Sequence, residues 1–276
     1  MSLKSNRILM VQLALQEDVR DGDLTADLIN AETRSEATVI CREDAILAGQ
    51  EWFDEVFRQI DSDVEVTWHF NDGDEIPADS IICSLNGLSR SLLTGERSAL
   101  NFVQTLSATA TQTNCYVKAI AGTKTRILDT RKTLPGMRLA QKYAVTCGGG
   151  KNHRVGLYDM ILIKENHIMA AGSITQAIAN ARKLHPGIKI EVETENLAEF
   201  EEACDADADI IMLDDFDNET MRQAVKNNPK KIPLEASGNV TMDTILGVAK
   251  TGVDLISIGA ITKHIRAIDL SMRFRT

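Results

Sequence analysis

Aromatic residues make up only 4% of this 276-residue chain, and few of them stand among its basic residues. Cationic positions without aromatic platforms, in a protein of formal net charge -10, argue against nucleic acid as a partner. Cysteine is sparse and dispersed: Cys41, Cys83, Cys115, Cys147 and Cys204 are odd in number and form no C-x-x-C pair. Such spacing speaks against a disulfide framework or a zinc site and fits buried thiols in a reducing cytoplasm. The five histidines make no metal-ligand pattern with them. No long apolar run follows Lys4 and Arg7, so no signal peptide is expected, and no stretch is apolar enough to span a membrane. What remains is an ordinary globular composition, 43% hydrophobic and 25% charged, long enough for one barrel-sized domain or two smaller ones.

Against that acidic background one stretch is cationic. Asp129 to His167 carries seven Lys or Arg (Arg131, Lys132, Arg138, Lys142, Lys151, Arg154, Lys164) against three acids (Asp129, Asp159, Glu165), a local charge of +4. Gly148, Gly149 and Gly150 sit among these cations and are expected to let the backbone approach a ligand closely. Apolar runs at Arg126–Leu128 and Met160–Ile163 flank most of the charges and read as buried parallel strands. A basic island on rigid elements of an acidic protein suggests a pocket for a compact polyanion; a solvated charged face is the plainer alternative.

The first hundred residues read as a mixed α/β unit. Residues 6–18 have helical periodicity, 37–41 and 64–70 look like strands, and 50–60 places Trp52, Phe53, Val56, Phe57 and Ile60 on one helical face. Asn71-Asp72-Gly73 has the chemistry of a hairpin turn, and 80–85 follows as another strand. Residues 89–121 are helical, as two helices or one long bent one.

Beyond this the rhythm changes. Strand-like runs centre on Ile127, Ile161, Ile190, Ile211, Leu234 and Ile256, with helical patterns between them. In the clearest helix, Ser173 and Gln176 form a capping box, Ile174, Ala177, Ile178, Ala181 and Leu184 form the buried stripe, and Pro186-Gly187 ends it. Alternation at this spacing predicts βα units and a parallel sheet or barrel. Six strands are fewer than the eight of a closed barrel, so the barrel is expected to be incomplete.

Each strand delivers a polar or glycine residue at its carboxyl end. Thr130, Arg131 and Lys132 follow the first, Lys164 the second, Glu193 ends the third, and Asp214 and Asp215 follow the fourth. Ser237-Gly238-Asn239 and Gly259-Ala260 follow the last two. That face is where α/β barrels build active sites. Arg131 and Arg154 suit planar carboxylates, because a guanidinium offers two parallel donors. Lys132 and Lys164 suit phosphate, and the two glycine loops can present backbone N–H groups to it. Glu193 and Asp214 can bind Mg²⁺, accept sugar hydroxyls or face a cationic transition state; a salt bridge from Glu193 to Lys164 is the structural alternative. His153 can donate to an anion or serve structurally.

The strings GDLT (22–25), GERSALNF (95–102), DTRKTLPGMR (129–138), KYAVTCGGGKNHRVGLYDMILIKENH (142–167), EVE (191–193), MLDDF (212–216), EASGNV and SIGAIT closely resemble quinolinate phosphoribosyltransferase, over nearly the whole chain and in order. The resemblance implies an α/β protein with an N-terminal α/β sandwich beside an open, six-stranded α/β barrel. We place the first at 1–105, joined by 266–276, and the barrel at 106–265. It also implies a homodimer whose sites are completed by the partner, with Arg97 inserted in trans. On the same basis Arg131, His153, Arg154 and Lys164 bind the pyridine dicarboxylate. Lys132, Lys164, Glu193 and Asp214 hold phosphoribosyl pyrophosphate and its Mg²⁺, with Thr130 also binding substrate, Lys132, Glu193 and Asp214 as the catalytic set and no organic cofactor. Ser237, Gly238, Asn239, Gly259 and Ala260 surround the 5-phosphate. The chain departs from the pattern at Leu134 and Met137, at Asn239 where glycine is common, and at Lys263-His264.

Two rival activities share parts of this set. A type II nicotinate phosphoribosyltransferase would use much of the sugar-phosphate site, although paired arginines favour a dicarboxylate. A Schiff-base lyase would use Lys164 as nucleophile.

Overall fold

The computed structural model describes residues 2–275. The helices in chain order are α1 (Leu3–Asp18), α2 (Gln50–Ile60), α3 (Ser89–Ala119), α4 (Arg138–Cys147), α5 (Glu165–Ala171), α6 (Ile174–Leu184), α7 (Leu197–Asp205), α8 (Asn218–Lys226), α9 (Ile245–Ala249) and α10 (Ala260–Lys263). The strands are β1 (Arg34–Cys41), β2 (Ala45–Ile46), β3 (Glu65–Trp68), β4 (Glu75–Ile76), β5 (Ser80–Leu88), β6 (Arg126–Leu128), β7 (Ile161–Ile163), β8 (Ile190–Thr194), β9 (Ile210–Asp214), β10 (Leu234–Ser237), β11 (Leu255–Ser257) and β12 (Leu270–Phe274). No described helix is long and apolar enough to cross a membrane.

The chain packs as two compact units. The first comprises the residues up to Asn114, Thr133–Gly149, and those from Ile261 on; the second comprises Cys115–Lys132 and Gly150–Ala260. Its packing therefore interleaves, with both Thr133–Gly149 and the residues from Ile261 on returning to the first unit. The physical reason lies in α4, whose Ala140 and Ala144 are fully buried in the same apolar cluster as Trp52, Phe53 and Leu106.

In the first unit an antiparallel sheet runs in the order β12-β1-β5-β3, with β2 and β4 as a separate pair. The apolar face of α2 supplies Trp52, Phe53 and Phe57, each about 1% exposed. Burying an aromatic side chain of that kind contributes on the order of 2–3 kcal/mol. Asn71–Gly73 does form a turn, closed by Asp74 N–H to Asn71 O at 3.0 Å, but it is not a hairpin. The strands it joins pair elsewhere, β3 with β5 and β4 with β2. Residues 89–119 form one helix, α3. Gly148 explains itself here: a Cβ on it would meet Ala110 O of α3 at 2.3 Å. The space that glycine leaves is filled by the helix backbone and not by a ligand.

The second unit is a parallel sheet in the order β6-β11-β10-β9-β8-β7. Among the described residues β6 and β7 do not pair, so the sheet stays open, as six strands predict. Strands β8 to β10 are apolar or buried up to their last residues, where Asp214 and Ser237 are only half-buried, as a sheet covered on both faces requires. Half of the expected capping box closes α6: Ser173 Oγ accepts from Gln176 N–H at 3.1 Å, while the Gln176 side chain donates to Asn180 Oδ1 at 2.9 Å.

Candidate active site

The carboxyl ends of the six parallel strands surround a cleft of about 440 Å³. It is lined by Thr130, Arg131, Lys132, His153, Arg154, Leu162, Lys164, Glu193, Met212, Asp214, Glu235, Ser237 and Ser257. Strand periodicity explains the membership. Side chains alternate faces, so every second residue reaches the same side: Leu162 and Lys164, Met212 and Asp214, Glu235 and Ser237. Parallel register aligns them across strands, with Glu193 opposite Met212, Met212 opposite Glu235, and Asp214 opposite Ser237.

Nine of the expected site residues line this one cleft: Thr130, Arg131, Lys132, His153, Arg154, Lys164, Glu193, Asp214 and Ser237. Gly259 adjoins it, because a Cβ there would lie 2.9 Å from Lys132 Cδ. Gly238 and Asn239 follow Ser237 with positive φ, +93° and +45°, and Asn239 Nδ2 donates to Asp215 Oδ1 at 3.2 Å. Asparagine holds the left-handed conformation that glycine would otherwise supply. A Cβ on Gly238 would strike Asp215 Oδ1 at 2.0 Å. Ala260 begins α10. Arg97 belongs to the first unit, exposed on α3, and lines a separate recess with Asn101, Phe102 and Thr105. None of the three glycines at 148–150 lines the cleft.

The loop that carries His153 and Arg154 is tied to β6, the strand that leads to Arg131. Lys151 N–H donates to Ile127 O at 2.8 Å, Asp129 N–H donates to Lys151 O at 3.1 Å, and Leu128 and Lys151 form a parallel bridge. The fully buried carboxylate of Asp129 accepts from His153 N–H at 2.9 Å. Arg154 Nη1 donates to Met160 O at 3.1 Å, and Asp159 closes the loop by accepting from the amides of Val155 and Gly156.

Electrostatics divide the cleft into regions. Arg131 and Arg154 both line the cleft, and burial, and then the charge of Arg131, pull Arg154 below the ordinary arginine pKa. Across the floor, Lys164 Nζ pairs with Glu193 Oε2 at 2.5 Å, so the salt bridge anticipated as the structural alternative is present within the site.

Two site residues escaped the sequence reading, Glu191 and Glu235. Both are fully buried. Burial pushes Glu191 up to about 7 and Glu235, with the added repulsion of Glu191, up to about 8. The signal was available: each stands two residues before an expected site residue, on the same face of its strand.

A partly enclosed cleft at strand ends, with paired guanidinium groups, two lysines and carboxylates on neighbouring strands, defines an α/β-barrel enzyme acting on small anionic substrates. The chain matches the family described as quinolinate phosphoribosyl transferase, C-terminal domain, over residues 109–273, and its N-terminal domain over 23–107. It is 42% identical over 257 residues to the probable nicotinate-nucleotide pyrophosphorylase [carboxylating] of Bacillus subtilis, covering 93% of this chain and 89% of that one. It is 38% identical over 290 residues to quinolinate phosphoribosyltransferase [decarboxylating] 1b of Nicotiana tabacum, covering 97% and 82%. The solved structure of the nicotinate-nucleotide pyrophosphorylase from Francisella tularensis superposes with a TM-score of 0.97 at 49% identity, covering 100% and 98%. The chain belongs to the quinolinate phosphoribosyltransferase family.

Proposed function

We propose that this protein transfers the phosphoribosyl group of phosphoribosyl pyrophosphate to quinolinate with decarboxylation, giving nicotinate mononucleotide, pyrophosphate and CO₂. The observation that carries the reading is the pairing of Arg131 and Arg154. Both guanidinium groups line one cleft, where a ligand carrying two negative groups can meet both. Quinolinate brings two adjacent carboxylates, each suited to a bidentate guanidinium.

The chemistry is then one of positioning and charge. The C1–O bond of the sugar donor breaks with its electron pair leaving on pyrophosphate, and Lys132 and Lys164 offset that charge. The ribose acquires oxocarbenium character, faced by Glu193 and Asp214, and the pyridine nitrogen forms the new bond to C1. The quaternised ring accepts the electron pair released when the adjacent carboxylate departs as CO₂, and that carbon takes a proton from solvent. No covalent enzyme intermediate is needed; a cleft that holds both substrates in line supplies much of the rate.

Mg²⁺ fits as a companion of the sugar donor. Glu193 and Asp214 are hard oxygen ligands at adjacent strand ends, and Glu193 is already shared with Lys164. Mg²⁺ retains waters and substrate phosphates as ligands, so one or two carboxylates suffice. When bound, the ion neutralises charge on the pyrophosphate. The 5-phosphate is assigned to the amides of Ser237 to Asn239, with Gly259 and Ala260. We also infer a homodimer in which Arg97 completes the partner's site; its exposure on α3 supports this. A cytoplasmic location is supported by five cysteines that all remain free thiols.

The deciding experiment is a coupled assay of pyrophosphate and CO₂ release from quinolinate with the sugar donor and Mg²⁺, run beside nicotinate. Stoichiometric release with quinolinate is expected. Mononucleotide formation from nicotinate alone would overturn the substrate assignment.

A further inference from the structure

Both ring nitrogens of His153 are engaged inside the protein. Nδ1 accepts from Arg154 N–H at 2.8 Å, so it carries no proton. The ring proton of the neutral imidazole therefore sits on Nε2, which donates to Glu191 Oε2 at 2.7 Å. Glu235 Oε2 stands 3.6 Å from the same nitrogen. Fixing one imidazole nitrogen to control the other is the device by which neighbours set a histidine tautomer.

The two carboxylates are costly where they lie. Both residues are fully buried, and the charge of Glu191 adds to the cost of ionising Glu235. Such groups destabilise a fold relative to apolar replacements of similar volume. Their retention beside a substrate cleft therefore points to a task other than stability.

A divalent cation is the obvious competing occupant, because His153, Glu191 and Glu235 offer ligand atoms within 4.8 Å of one another. The tautomer excludes it in this arrangement. With Nδ1 used as an acceptor and Nε2 protonated, the ring has no lone pair left for a metal.

We propose that Glu191 is the positioning residue for the quinolinate-binding corner. By accepting from Nε2 it holds His153 in the tautomer whose Nδ1 receives the Arg154 amide. It thereby fixes the backbone from which the Arg154 guanidinium reaches the cleft. Glu235 narrows the space around that nitrogen and keeps the ring from turning. The kinetic part of this inference rests on quinolinate being the substrate; the tautomer does not. It also follows that, in this conformation, His153 shapes the cleft and does not donate to a substrate carboxylate through either nitrogen.

The test uses the intact enzyme with ¹⁵N-labelled histidine, the His153 signals being assigned by their loss in His153→Gln. Long-range ¹H–¹⁵N spectra are expected to show the Nε2–H tautomer in the parent protein. Glu191→Ala is expected to lose that signature and to raise KM for quinolinate at least tenfold, leaving KM for the sugar donor within about twofold. Glu191→Gln keeps an acceptor for Nε2 and should recover most of the quinolinate affinity. If Glu191→Ala fails to fold, Glu191→Gln and the parent spectrum still decide. An Nδ1–H tautomer in the parent, an unchanged quinolinate KM in Glu191→Ala, or equal losses for both substrates would overturn the proposal. A parent protein inactive on quinolinate but showing the Nε2–H tautomer would instead overturn the substrate reading and leave the positioning of Arg154 intact.

Discussion

Lys164 Nζ and Glu193 Oε2 meet at 2.5 Å across the carboxyl ends of two adjacent parallel strands, inside the cleft that also holds Arg131 and Arg154. The lysine side chain is 45% exposed and the glutamate side chain 10%. An ion pair so placed contributes at most about 1 kcal/mol to stability. On the proposed reading its value lies in aiming a carboxylate where cationic character develops on the ribose. Glu193→Ala is expected to lower kcat about a hundredfold while shifting thermal unfolding by only a few degrees. Steady-state kinetics and calorimetry on the same sample check both halves; a large loss of stability with kcat retained would make the pair structural.

Arg131→Lys and Arg154→Lys keep the charge and remove the planar fork. Each should raise KM for quinolinate ten- to a hundredfold, corresponding to about 1.4–2.7 kcal/mol of lost binding, with the sugar-donor KM little changed. The contrast between the two KM values is the measurement.

Stability should fall as pH rises from about 5 to 8. Glu235 binds its proton up to about pH 8 in the folded protein, whereas an unfolded glutamate releases it near 4.5. Between those values the folded state holds more protons, so its advantage is complete below the unfolded pKa and lost as pH climbs through the folded one. Glu235→Gln has no proton to release and should flatten this slope in urea titrations at stepped pH.

If Arg97 acts in trans, mixing Arg97→Ala with Lys132→Ala under conditions of subunit exchange should restore activity. Hybrid dimers would carry one site with both residues intact, so recovery approaches a quarter of the parent rate at equal mixing, on the basis of random pairing. No recovery with exchange verified by mass would remove Arg97 from the partner's site.

Much of this was legible in residues. Six apolar runs ending in polar positions located the parallel sheet, its openness and nine cleft residues, because strand ends and barrel chemistry coincide. Glu191 and Glu235 were harder, since acids in the middle of apolar runs look like interruptions until the face they occupy is counted. Gly148 misled for a related reason. A glycine among cations invites a ligand reading, but its space is taken by the Ala110 carbonyl of another helix. The turn at 71–73 had hairpin chemistry, yet pairing was decided by distant partners of β3 and β4.

The bridge between Leu128 and Lys151 has a consequence for how this family can vary. It staples the start and end of the excursion onto one strand, so the distance between the short runs that lead to Arg131 and to Arg154 no longer depends on the length of segment 133–149. Lengthening or trimming the segment that leads into α4 should leave the dicarboxylate corner in register. A single residue inserted between Lys151 and Arg154 should destroy it.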